Sequence, residues 1–254
     1  MRYIVSIVVL FLVVRLSAQQ DTLQQERLDT AIQEKTFNPK QLIAPALLVG
    51  MGTLGLIDDT PIDILERRTR DDLNPHDKHT KVDEYIQYIP TGAHLVLGFI
   101  PGVKAKHNFR DRLIASATAN LLMAGITNGV KYTVKERRPD STKSNSFFSG
   151  HTATAFTGAE LMRIEYGWGY GAAAYAVAAT TGFLRVYNKR HWVGDVFTGA
   201  GIGILSANAG YWMLPVWKRW LKLDKKKESN RTVVAAPFYL QDDKAAGLSC
   251  SIVL

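Results

Sequence analysis

Five long stretches without a charged side chain, set between short charged segments, constrain this chain more than any other feature. They cover residues 42–57, 85–103, 113–130, 166–184 and 196–217. Most approach the ~20 residues that an α-helix needs to cross the apolar core of a bilayer. They are rich in Gly, Ala, Ser and Thr, as in Gly171-Ala172-Ala173-Ala174 and Gly199-Ala200-Gly201-Ile202-Gly203. Small residues let helices approach closely where no hydrophobic effect holds them together. A further segment, residues 152–163, is helical in pattern but carries Glu160 and Arg163. The chain-wide mean hydropathy of −0.05 is an average over strongly segregated segments. The pattern predicts an all-α bundle of about six helices embedded in a membrane, with residues 42–217 as its domain.

The amino terminus agrees with export. Met1-Arg2-Tyr3 is a short basic start, residues 4–14 are apolar apart from Ser6, and Leu16-Ser17-Ala18 leads into the polar Gln19-Gln20-Asp21. This is the layout of a secretory signal peptide or an amino-terminal anchor over residues 1–18. A polar segment, residues 19–41, follows. Residues 104–112 and 218–227 are basic, whereas residues 58–84 are net acidic. By the bias of Lys and Arg toward the cytoplasm, the basic segments lie inside and the acidic one outside. Simple alternation from a cleaved signal, with residues 42–57 spanning, gives the opposite sidedness; the charge bias is followed here.

The net charge of +8 suits an anionic partner. Trp217, Trp220 and Tyr211 beside the basic run read as interfacial anchors, so anionic lipid headgroups fit better than nucleic acid. A single cysteine, Cys250, excludes an internal disulfide framework and any multi-cysteine metal site. His76 and His79, with Asp77 and Asp83, have only loose metal-ligand spacing. Residues 218–254 form a basic tail. Within it, residues 232–241 and 247–254, joined by Asp242-Asp243-Lys244, read as a β-hairpin, the second with strand-like alternation.

Three clusters sit at the ends of apolar segments, where separate helices can converge. The first runs from Lys131 to Arg138-Pro139, the second is Ser149-Gly150-His151-Thr152, and the third runs from Arg185 through His191 to Asp195. Taken singly, each has a plain structural reading as a membrane-boundary anchor, a helix cap or an i,i+4 pair. Together they have the parts of a phosphate site. A phosphoryl group in transfer spreads negative charge over its oxygens and needs fixed cations around it. Lys131, Arg138 and Arg185 supply them. Gly150 at a helix start lets main-chain N–H groups approach an anion, and Ser149 adds a hydroxyl. Asp195, one helical turn after His191, can fix that imidazole in one tautomer and leave the other nitrogen as nucleophile. His151 is then the general acid. The scheme needs no metal and no cofactor. It asks for neutral His191 and protonated His151, hence affinities for the proton that are pushed apart.

These residues resemble the three signatures of the type 2 phosphatidic acid phosphatase (PAP2) superfamily: Lys131-x6-Arg138-Pro139, Ser149-Gly150-His151 and Arg185-x5-His191-x3-Asp195. The resemblance implies a PAP2-type helical fold and a metal-independent phosphatase, with His191 as nucleophile, Asp195 as its partner and His151 as acid. Phe148 stands where the family usually has proline, and Leu184 where it commonly has serine. Glu165-Tyr166-Gly167 and Arg190-His191-Trp192-Val193-Gly194-Asp195 are similar to a Bacteroidetes-type branch that includes enzymes similar to lipid A 4′-phosphatases. The implied substrate is a phosphorylated membrane lipid met on the periplasmic side of the bacterial inner membrane, lipid A favoured. Undecaprenyl diphosphate, phosphatidic acid and phosphatidylglycerol phosphate are the alternatives. A non-catalytic envelope protein on the same fold is the alternative of another class.

Overall fold

The computed structural model describes residues 38–74, 79–223, 232–240 and 245–253. The expected signal segment, residues 1–18, lies outside them. The described residues fall into two compact units divided after Trp217.

Four long helices make up most of the first unit: α5 (Phe109–Thr133), α6 (Gly150–Tyr166), α7 (Trp168–Tyr187) and α8 (Val193–Trp220). Shorter ones precede them: α1 (Ile43–Leu54), α2 (Pro61–Asp72), α3 (Val82–Ile86) and α4 (Ile89–Val96). Local chemistry sets the ends. The Asn108 side chain accepts from the Asp111 N–H at 2.9 Å and caps α5, as Thr60 and Ser149 cap α2 and α6. Gly167, at φ 86°, stops α6 and lets α7 start at the next residue.

Two of the uncharged runs are not continuous spans. The run over residues 85–103 divides into the end of α3, then α4, then a 3-10 turn at Leu97–Phe99. Pro90, which has no N–H to donate backward, starts a new helix there. The run over residues 42–57 yields only the 12 residues of α1, about 18 Å of helix against a bilayer core of about 30 Å. Among the described residues, α5 is the one helix long and apolar enough to cross a membrane.

Small residues bring α8 against the backbones of its neighbours. A Cβ at Gly199 would stand 2.6 Å from the Ser149 carbonyl oxygen, and one at Gly203 would stand 2.5 Å from that of Ala153. The four-residue spacing of these two glycines makes a flat strip along α8 on which α6 lies. Ala115, Ala119, Leu161, Ala207, Tyr211 and Leu214 form a core cluster between α5, α6 and α8.

A polar network closes the bundle where α5 begins and α6 ends. Buried Glu165 accepts from the His107 N–H at 2.6 Å, pairs with His107 Nδ1 at 2.8 Å and accepts from the Tyr211 hydroxyl at 2.7 Å. His94 Nε2 lies 3.0 Å from the same tyrosine oxygen. The Arg112 guanidinium donates to the His94 carbonyl at 3.1 Å and to the Tyr166 hydroxyl.

In the second unit, β1 (Thr232–Leu240) pairs antiparallel with β2 (Ala245–Val253), with Thr232 opposite Val253 and Leu240 opposite Ala245. The second strand begins two residues before the expected Gly247, and the expected turn, residues 242–244, lies outside the described residues.

Candidate active site

Short connections between α6, α7 and α8 reverse the chain direction each time. The end of α5, the start of α6, the end of α7 and the start of α8 therefore lie at one end of the bundle. That brings the three sequence clusters together although they are spread over 65 residues of chain.

His191 and Asp195 are at the centre and almost wholly buried. His191 Nδ1 lies 3.2 Å from Asp195 Oδ2. The same oxygen accepts from the Trp192 N–H at 2.9 Å and from the Ser146 hydroxyl at 2.5 Å. Three donors on one oxygen hold the carboxylate in place. Burial pushes the His191 imidazole below its ordinary range against the hydrogen bond and charge of Asp195, and Arg185 and Lys131 push the same way as burial. The neutral His191 that the sequence predicts is thus favoured.

His151 occupies the first turn of α6, within electrostatic reach of His191, Arg185, Asp83 and Lys131. Here the structure departs from expectation. Burial pushes His151 down to about 4, with Arg185 and His191 adding to the effect and Asp83 opposing it. Both histidines move in the same direction, first because burial disfavours the charged ring and then because the positive charges gathered for an anion also repel a proton.

The three cations converge. Lys131, in the last turn of α5, senses Arg138, Asp195 and Arg185. Arg138 senses Arg185, Asp140, Arg190 and Asp195. Its loop is tied down by the Arg138 N–H to the Lys143 carbonyl at 3.0 Å and by the Asp140 N–H to the Lys189 carbonyl at 3.2 Å. Arg185 is buried, and one arm donates to Asp83 Oδ2 at 2.6 Å. The Nε atoms of Arg138 and Arg185 are both buried with no protein partner. Such a donor costs about 1–3 kcal/mol unless something accepts from it, and a tetrahedral oxyanion between the two guanidiniums would do so.

Ser149 behaves differently from expectation. Its hydroxyl is fully buried, 2.8 Å from the Thr152 hydroxyl and accepting from the Thr152 N–H at 3.3 Å. In this arrangement it contributes the cap of α6 rather than a free donor. Gly150 is less enclosed: a Cβ there would meet only the Thr127 methyl at 3.4 Å. Phe148, in the position where the resemblance implies proline, is buried against Met123, Phe147 and Ala153, so the segment entering α6 is fixed by packing.

Several residues of the site carry no motif. Asp83 holds Arg185 and also accepts from Asn188 Nδ2 at 3.1 Å, and Asn188 in turn bonds Thr80. Asp83 therefore positions Arg185; His76 and Asp77, named with it in the sequence, lie outside the described residues. Glu66 on α2 accepts from the Gly194 N–H at 2.6 Å, at the amino end of α8. Burial raises its carboxyl to about 7 against that bond, with Asp195 and Asp63 adding to the rise. Glu136, inside the first cluster, stands within hydrogen-bonding reach of Asp195. Only Asn188, three residues after Arg185, had a spacing that could have flagged it. No group of His, Cys, Asp and Glu suited to a metal occurs among the described residues.

Comparison with known proteins agrees with this geometry. Residues 112–219 match the model of the PAP2 superfamily. Over 141 residues the chain is 44% identical to the lipid A 1-phosphatase of Porphyromonas gingivalis, a match that covers 53% of this chain and 31% of that one. The chain thus spans about a third of the length of the curated relative it matches. Among solved structures, Aquifex aeolicus LpxE is similar at a TM-score of 0.46 and 23% identity, over 61% of this chain and 97% of that one. A transmembrane PAP2 type phosphatidylglycerolphosphate phosphatase from Bacillus subtilis is similar at 0.41 and 18%, over 72% and 98%. The three signatures meet at one end of the bundle, and the match of residues 112–219 to the PAP2 superfamily covers all of them.

Proposed function

We propose that this chain is a phosphatase that removes a phosphate monoester from a membrane lipid, with lipid A as the favoured substrate, through a phosphohistidine. The carrying observation is the pair of buried, unpartnered guanidinium Nε atoms of Arg138 and Arg185 at the end of the bundle that holds His191. His191 Nε2 attacks phosphorus as the bond to the lipid oxygen breaks, and His151 gives that oxygen its proton. Water then attacks phosphorus, His151 takes a proton from it, and the P–N bond breaks to release inorganic phosphate. The low proton affinity of His151 is compatible with this order. A phosphate among Arg138, Arg185 and Lys131 offsets the positive potential that adds to burial in opposing its protonation, which favours the acid form when substrate is bound.

The relative's name, lipid A 1-phosphatase, supports lipid A and directs attention to its 1-phosphate, whereas the sequence resemblance pointed to the 4′ position. Membrane embedding is supported by α5 and by apolar side chains left exposed on α1 and α4, such as Leu47, Ile43, Ile89 and Val96. Lys104, Lys106 and Arg110 precede or open α5, away from the site. The positive-inside bias then puts the site on the periplasmic face of the inner membrane.

The test is phosphate release by wild type and His191→Ala in detergent from lipid A, undecaprenyl diphosphate, phosphatidic acid and phosphatidylglycerol phosphate. Release from lipid A, reduced by about 10³-fold or more in the variant, is expected. Undiminished release by His191→Ala would remove the nucleophile assignment.

A further inference from the structure

Glu136 has no place in the chemistry just described, yet its carboxyl faces the carboxylate on which that chemistry depends. Glu136 Oε2 and Asp195 Oδ1 are both buried, and neither has a hydrogen-bond donor. The two side chains are nevertheless within hydrogen-bonding reach. Two ionised carboxylates at such a distance repel and leave both oxygens unsatisfied; one proton between them satisfies both. His191, Ser146 and the Trp192 N–H all address the other oxygen of Asp195. The proton therefore belongs on Glu136. Its loop is held for this, because the Ser146 N–H donates to the Glu136 carbonyl at 3.0 Å while the Ser146 hydroxyl donates to Asp195.

We propose that Glu136 is a positioning residue: a proton shared between the two carboxyls lets it donate to Asp195 Oδ1 and so fixes the carboxylate that orients His191. A carboxylate that accepts on both oxygens is less basic, so the shared proton stays on His191 Nδ1 and Nε2 keeps its lone pair for phosphorus. The inference rests on the phosphatase reading for its kinetic consequence, but not for the shared proton itself.

The groups that face this pair set the expected pH dependence. Asp195 on α8 lies within hydrogen-bonding reach of Glu136, and the charge of Glu66 on α2 also acts on it. Lys131 on α5, Arg138 in the same loop and His191 act on Asp195 from the other sides. Burial, followed by the Asp195 charge, raises Glu136 to about 9. Above that pH a second negative charge appears beside Asp195 and the alignment is lost.

Three variants and one spectroscopic measurement test this. Glu136→Ala should lower kcat by about ten- to hundredfold with KM within about twofold, as for the loss of a group that orients a catalytic residue. Glu136→Gln, which keeps a donor, should restore kcat to within about threefold of wild type. It should also keep its activity at alkaline pH where the wild type loses it. Glu136→Asp, too short to reach, should behave like the alanine variant. Infrared difference spectra of wild type against Glu136→Gln at neutral pH should show the carbonyl stretch of a protonated carboxyl, disappearing as the pH is raised. A missing band, or glutamine as damaging as alanine, would overturn the proposal. Should the wild type turn over none of the lipids, the phosphatase reading fails and the infrared band still decides the shared proton.

Discussion

The two ends of the bundle carry similar side chains in opposite states. Where α5 starts and α6 ends, Glu165 is enclosed by His107 and Tyr211, with opposite or neutral partners on every bond. Where α5 ends and α6 starts, Arg138, Arg185 and Lys131 press on one another and on two histidines, and two guanidinium nitrogens have no partner. The first arrangement is a rivet, in which the buried carboxylate is bonded on both oxygens within the protein, although His94 Nδ1 and Arg112 Nε beside it are buried without a partner. The second is unfinished by protein standards, and an anion is what would finish it. Burial is comparable at both ends, so it does not distinguish them. What does is whether the charges of each cluster sum to balance.

This contrast can be broken in three ways. Arg138→Gln at the site end should lower kcat/KM by about 10²–10³-fold, the scale for losing one fixed donor to transition-state charge. Thermal unfolding should hold its midpoint or move up, because a cation repelled by Arg185 and Arg190 has gone. A lower midpoint would mean that the site end is as self-satisfied as the other. Glu165→Ala at the far end should do the reverse. It strands the His107 and Tyr211 donors, costing about 2–4 kcal/mol in denaturant unfolding, with kcat within about twofold. Loss of turnover in the folded variant would show that the far end is coupled to the chemistry.

The smallest effect is the sharpest in sign. Glu66 is raised from 4.5 to about 7 in the fold, so the folded protein binds the extra proton across that window. Its contribution to stability is fully present below 4.5 and is lost as pH rises through 7. His151, lowered to about 4 from 6.5, works the other way, its contribution being present above 6.5 and lost as pH falls through 4. Comparing Glu66→Gln with wild type isolates the first slope, of up to one proton. An identical pH dependence in the two proteins would show that Glu66 is ionised throughout.

What could be read from the chain follows from how each feature is encoded. Lys131, Arg138, His151, Arg185, His191 and Asp195 are spaced within local stretches that end or begin helices, so their convergence followed once the helices were taken as antiparallel. Asp83 stood out only for its loose metal-ligand spacing, and Glu66 and Glu136 were silent, because a lone acid has no periodicity and only the folded chain shows what it faces. The run over residues 85–103 misled for a related reason. Absence of charge marks a segment as buried or lipid-facing, but continuity of a helix depends on backbone donors, and Pro90 breaks them. Ser149 shows a third limit: one hydroxyl can cap a helix or meet a phosphate, and the sequence is the same for both.

The contact of Gly199 and Gly203 with the backbone of α6 has a mechanical consequence. His151 stands in the first turn of α6 and Asp195 in the first turn of α8, so the gap between acid and nucleophile is set by how closely these two rods lie. With a glycine at each crossing point, the spacing is a backbone-to-backbone distance that no rotamer can adjust. The bundle acts there as a gauge block: one methyl group inserted between the rods would be transmitted along them as a change in the width of the jaw.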